Sequence, residues 1–197
     1  MKSLERKIKI TRDARFEAYR RMKRRKISST VSLAMLSLSI IFYNIVQLLD
    51  NYKIYEESIT AVTIMLSALV LTISLLISGM NYAQKELQYF SCATKLSKLY
   101  EDLKAFEKCN DYKYKESSAF KCVSKRYHAI IAECPINHIG IDYERAKERN
   151  DEVKSKCESN WIWIKWNILD VNFLYWLLAI LMPVLAWYLI FVWNIAK

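Results

Sequence analysis

Charge is missing from three long stretches of this 197-residue chain. Ile27–Leu49, Ser58–Gln84 and Val171–Ala196 hold no Asp, Glu, Lys or Arg over 23, 27 and 26 residues. Glycine and proline are scarce as well, with two of each. A helix needs about 20 apolar residues to cross a hydrocarbon core of ~30 Å. The runs are continuous rather than alternating, which excludes barrel strands, so three transmembrane helices are predicted. No ionisable acid or base lies inside them, which disfavours coupled ion or proton transport. The first run is too long for a signal-peptide core and has no A-x-A site, so an uncleaved anchor is expected. No C-x-x-C occurs among the five cysteines, which gives no zinc or thioredoxin-type signal.

What charge there is lies between the runs, and the chain carries +10 net. The first 26 residues hold 12 Lys/Arg against three acids, Asp50–Glu57 one Lys against three acids, and Asn81–Asp170 16 against 14. The positive-inside rule then puts the N-terminus and the middle region in the cytoplasm, and the short loop outside. Reduced cysteines are expected in that compartment. The run RRMKRRK supplies Arg20, Arg21, Lys23, Arg24 and Arg25 for anionic headgroups, or alternatively for a nucleoprotein partner.

The middle region reads as helices. Tyr89, Ala93, Leu96, Tyr100, Leu103 and Phe106 recur at steps of three and four. So do Phe120, Val123, Tyr127, Ile130 and Cys134, and a third series runs over Asp142–Asp170. The first and third of these helices are expected to continue the second and third spans as long rods. Trp161, Trp163 and Trp166 with Lys165 look like an interfacial belt. The expected fold is an all-α membrane protein. A basic helix (1–26) precedes a two-span hairpin (27–84), a cytoplasmic helical bundle (85–170) and a third transmembrane helix (171–197).

Two sets of residues invite a functional reading. Thr63, Ser67, Ser74 and Ser78 share one face of the second span, and Asn44 and Gln47 lie near the end of the first. Small and hydroxyl side chains let membrane helices pack closely. The same face is also the best available lining for a pore. The stretch CPINHIGIDYERA brings Cys134, His138 and Asp142 to four-residue spacing. They are chemically fit to ligate a metal. Pro135 and Gly140 break the single helix that this spacing requires, so a helix corner is the better reading. There Pro135 ends one helix, Gly140 gives turn freedom and Asp142 caps the next. No catalytic residue, metal or cofactor is assigned.

The form NH-x-x-x-DY (Asn137, His138, Asp142, Tyr143), downstream of two close spans, resembles the signature of SLATT proteins. These are small two-span effectors met beside nucleotide-sensing or reverse-transcriptase immunity genes. TRDARFEAYRRM (Thr11–Met22) resembles the basic R-x-x-A-x-x-R-L helix of that family, with Met22 where leucine is commoner. The NH-x-x-x-DY form is most similar to the subgroup associated with reverse transcriptases. The resemblance implies a non-enzymatic effector of bacterial anti-phage defence in the inner membrane. It would multimerise and breach that membrane when released by a sensor encoded nearby, such as a reverse transcriptase with its RNA or a nucleotide-signalling enzyme. The third run departs from a two-span plan. The alternative reading is a membrane tether that docks a nucleoprotein or another partner.

Overall fold

A computed structural model of the chain describes residues 2–48, 56–109, 116–150, 160–162, 164–165 and 172–195. All regular structure among them is helical: α1 (Lys2–Gln47), α2 (Glu56–Met80), α3 (Tyr82–Cys109), α4 (Glu116–Glu133), α5 (Gly140–Arg149) and α6 (Asn172–Ile195). The chain divides into two compact units. One comprises Met1–Lys23 with Ala83–Leu169, the other Arg24–Tyr82 with Asp170–Lys197.

The first unit has a conventional apolar core. Leu4 and Ile8 of α1, Cys92, Leu96, Leu99 and Leu103 of α3, and Tyr127 of α4 bury together. Steps of four along α1 and of four, three, four along α3 put each set on one helical face. Burying each leucine stabilises this unit by roughly 1.5–3 kcal/mol relative to exposure. Polar contacts tie the margin. The hydroxyls of Thr11 and Tyr127 share a 3.2 Å hydrogen bond, and Lys104 pairs with Glu5. That lysine holds the Glu5 carboxyl below its ordinary pKa.

The second unit is built the other way round. A small cluster of Tyr43, Val46, Ile59, Val62 and Leu66 is buried, with Ile40 and Met182 against it. Leu38, Ile41, Phe42, Ile45, Ile64, Met65, Leu71, Leu75 and Leu76 point outward and are more than half exposed. Only 28% and 22% of the two most apolar windows, in Lys2–Gln47 and Glu57–Phe106, are buried within the protein. Both stretches are long and apolar enough to cross a membrane. A soluble core helix hides its leucines; these helices turn most of theirs outward, as lipid contact demands. Several hydroxyls in these helices are satisfied within their own helix. Ser39 Oγ donates to Met35 O, Ser67 Oγ to Thr63 O and Thr72 Oγ1 to Ala68 O, each one turn back.

Helix α6 packs in this second unit. Ser32 Oγ donates to Tyr175 O at 2.7 Å, and Tyr43 donates to Pro183 O. Tyr43 also stacks on Trp187, and the hydroxyls of Tyr82 and Tyr175 share a hydrogen bond. Pro183 sits inside α6.

Two expectations need correction. The second span does not continue unbroken into the next helix. Asn81 takes φ 49°, the left-handed region that asparagine tolerates better than most residues, and separates α2 from α3. The long uninterrupted helix is α1 instead, 46 residues that run from the basic segment into the first apolar run. The cysteines are not all thiols either, since Cys92 and Cys134 form a disulfide. Of the rod expected over Asp142–Asp170, residues 151–159, 163 and 166–170 lie outside the described residues, and the belt positions Trp163 and Trp166 lie among them.

Candidate functional site

The corner stretch and the basic N-terminal helix meet in the first unit. The α4 helix ends at Glu133, one residue before Cys134-Pro135. The chain then bends at Ile136, Ile139 is extended, and α5 starts at Gly140. Gly140 has no positive φ, so its value here is not turn freedom. Asp142 is not the N-cap; Ile139 is. Asp142 stands at the third helical position, and its Oδ2 accepts the Ile139 backbone N–H at 3.1 Å. That bond satisfies a donor at the helix start, and the carboxylate complements the positive N-terminal end of α5.

Asp142 is completely buried, and Arg21 is the cation that balances it. Arg21 Nε donates to Oδ1 and an Arg21 terminal nitrogen to Oδ2, both at 2.9 Å. The two side chains are 4% and 0% exposed. This is the bidentate fork for which guanidinium geometry is suited. Lysine could not reproduce it. Two turns earlier on α1, Arg15 is buried too. It donates to the Ile136 carbonyl and, at 3.2 Å, to Asn137 Oδ1. Burial pushes its pKa down, while Tyr89, Tyr127 and Asp142 oppose that shift. From α3, Tyr89 donates to the Asn137 carbonyl at 2.8 Å. Burial raises its pKa and keeps the phenol protonated as that donor.

The remaining contacts between α1 and α5 form a ladder. Asn150 Nδ2 donates to Asp13 at 2.8 Å, Arg149 Nε pairs with Glu17 at 3.0 Å, and Arg21 pairs with Asp142. Positions 13, 17 and 21 rise along α1 while 150, 149 and 142 fall along α5, so the two helices run antiparallel. Ala14, Ala18 and Ala146 are 0% exposed. Side chains this small at buried positions let two helices approach closely enough for charged tips to reach across.

The pieces of the two family-like motifs are therefore partners. Arg15 and Arg21, the outer residues of R-x-x-A-x-x-R, bind Asn137 and Asp142 of NH-x-x-x-DY. His138 and Tyr143 lie beside them with rings stacked at 6.1 Å, and the Lys147 amine sits 4.7 Å over the Tyr143 ring. His138 Nδ1 is buried without a hydrogen-bond partner. Its pKa is lowered, chiefly by burial and then by Arg15, with Asp142 opposing. The residues weighed as metal ligands go separate ways: Cys134 to Cys92, Asp142 to Arg21. Among the described residues no three His, Cys, Asp or Glu side chains are grouped as a metal site.

The other singled-out residues fall elsewhere. Arg21 is not the surface cation the basic run suggested, because its charge is spent inside the unit. Arg20 pairs with Glu17 at 2.6 Å. Lys23 and Arg24 are exposed and Arg25 is partly so. In the second unit Thr63 is buried, whereas Ser67, Ser74, Ser78 and Asn44 are exposed. Gln47 Nε2 donates to Thr60 Oγ1 at 3.0 Å, joining α1 to α2. Arg15, Tyr89 and the acids Asp13 and Glu17 were missed as participants. Their signal was present: two acids and an arginine at steps of four, flanked by alanines, in an otherwise basic helix.

An all-α architecture with two bilayer-length apolar helices, and a charged unit fastened by a buried arginine–carboxylate fork, defines a helical membrane protein. The chain belongs to the SMODS and SLOG-associating 2TM effector domain family 5, which it matches over residues 1–189. It is thus a membrane effector of defence systems. Membership at this level does not extend to a reverse-transcriptase association. No curated protein and no solved structure matches the chain.

Proposed function

We propose that the protein is a non-enzymatic effector of the bacterial inner membrane, held inactive until a partner sensor releases it. The N-terminus and the first unit face the cytoplasm, and α6 is a third span. On release, copies of the chain associate and their spans rearrange into a leak that arrests or kills the infected cell. One observation carries this reading above the others. The apolar helices of the second unit expose most of their surface and bury only a small cluster, so their packing can be exchanged at little cost. The exposed Ser67, Ser74, Ser78 and Asn44 supply the polar surface that an assembled path would need. The first unit offers the control point, because its helices are held by a few discrete polar contacts as well as by its apolar core.

The test is expression of the chain with the sensor encoded beside it, in cells carrying a membrane-potential dye under phage challenge. Depolarisation that precedes growth arrest is expected. Arrest at unchanged potential sinks the leak. Serine-to-leucine changes at Ser74 and Ser78 should slow depolarisation without lowering protein in the membrane.

A further inference from the structure

The disulfide lies in the middle of a second ladder, between α3 and the corner. Tyr89, Cys92 and Lys95 are three residues apart on one face of α3. Tyr89 donates to the Asn137 carbonyl, Cys92 is bonded to Cys134, and Lys95 pairs with Glu133 at 2.7 Å. The partners fall in antiparallel order, 137, 134, 133. Residues 136 and 137 are also where Arg15 binds from α1. The covalent rung therefore fixes the short segment that carries the acceptors of the arginine contacts. The Cα atoms of the two cysteines are 6.0 Å apart, a separation that oxidised and reduced pairs can both occupy without backbone movement.

We propose that Cys92 and Cys134 are a reversible thiol–disulfide pair that sets how firmly the 134–142 corner is held, and with it the Arg21–Asp142 fork. This rests on the cytoplasmic placement of the first unit proposed above: a permanent disulfide is unusual in a reducing compartment, whereas a regulatory one is at home there. Oxidation needs a disulfide of the glutathione class as co-reactant. Cys134 is the more exposed of the two, and Cys92 is 4% exposed. The Cys134 thiolate attacks one sulfur of that molecule and expels the first thiolate, leaving a mixed disulfide. The Cys92 thiolate then attacks Cys134 Sγ and expels the second. The two protons from the protein thiols end on the two released small thiols. A dithiol reductant reverses both steps.

The experiment uses the full chain in detergent, equilibrated in glutathione redox buffers. Free thiols are counted by maleimide mass-tagging, and amide exchange is followed at residues 136–146. We expect two thiols to disappear together across the titration, and exchange at the corner to be at least tenfold faster in the reduced protein. Cys92→Ser/Cys134→Ser should show the fast exchange in every buffer. Cys92→Ala/Cys134→Ala gives the same reading should serine perturb the buried site. Three results would overturn the proposal: all five cysteines reactive in every buffer, a disulfide that survives reduction at cytosolic potential, or equal exchange rates in the two states. None of these readouts depends on a membrane leak.

Discussion

Replacing Arg21 by methionine should unfasten α5 from α1. The change removes both 2.9 Å hydrogen bonds to Asp142 and the cation that pairs with it, at a carboxylate that is 0% exposed. One contact to that carboxylate survives, the Ile139 N–H. Breaking a buried pair at one partner costs about 3–5 kcal/mol, because the other charge is left in a poorly solvating interior. At ~1.4 kcal/mol per tenfold, the opening equilibrium of α5 should rise by roughly two to three and a half orders of magnitude. Amide exchange over residues 140–149 in the detergent-solubilised full chain reads this directly, where a single melting temperature for two units would not. The double change Arg21→Met/Asp142→Leu should recover most of the loss, since no buried charge is then stranded. Arg21→Lys should fall between, keeping charge and losing the fork. A cost below about 1 kcal/mol for Arg21→Met would show that Asp142 is solvated and that the buried-fork argument fails. A double variant as damaged as the single would shift the explanation from charge to packing.

Two further predictions concern the same unit. His138 has a folded-state pKa below its ordinary 6.5, so the folded form binds its proton less readily than the unfolded form does. Its stabilising share is present above about pH 6.5 and is lost as pH falls through that value towards the folded pKa. Exchange at residues 136–142 should therefore accelerate between pH 7.5 and 5.5, after correction for intrinsic rates. His138→Asn should remove most of that acceleration, and an identical pH response in the variant would refute the assignment. Ala18→Leu inserts a large side chain where the present methyl is 0% exposed. It should cost about 1–3 kcal/mol by overpacking and weaken all three rungs of the α1–α5 ladder together; an unchanged α5 exchange rate would mean the helices are not in close approach there.

Much of this structure could be read from sequence, and what could not shares a cause. The two bilayer-length apolar helices were legible because the absence of charge over more than 20 residues has few physical explanations. Family membership was legible from the whole arrangement, a basic helix, two close spans and then Asn137, His138, Asp142 and Tyr143 at the corner, since each motif alone is short. Their partners were hidden by distance and by company. Arg21 lies 121 residues before Asp142 and stands inside RRMKRRK, where a solvated arginine and a buried one look the same. Composition averages over the run and assigns it to the membrane surface. The helical period does separate them, since Asp13, Glu17 and Arg21 fall every four residues beside Ala14 and Ala18, and small residues next to a charged stripe mark a face that meets another helix. The disulfide was hidden for a different reason. Compartment argues for thiols, spacing is silent on a pairing across 42 residues, and only the apposition of α3 with the corner joins them. In both cases the sequence names the corner, and the fold alone names what holds it: two arginines from α1, and a tyrosine and a cysteine from α3. On the proposed mechanism, a signal that releases the corner must break contacts on both of these helices, so variants on α1 and on α3 should lower the threshold for depolarisation, read with the membrane-potential dye, by separate routes and add when combined.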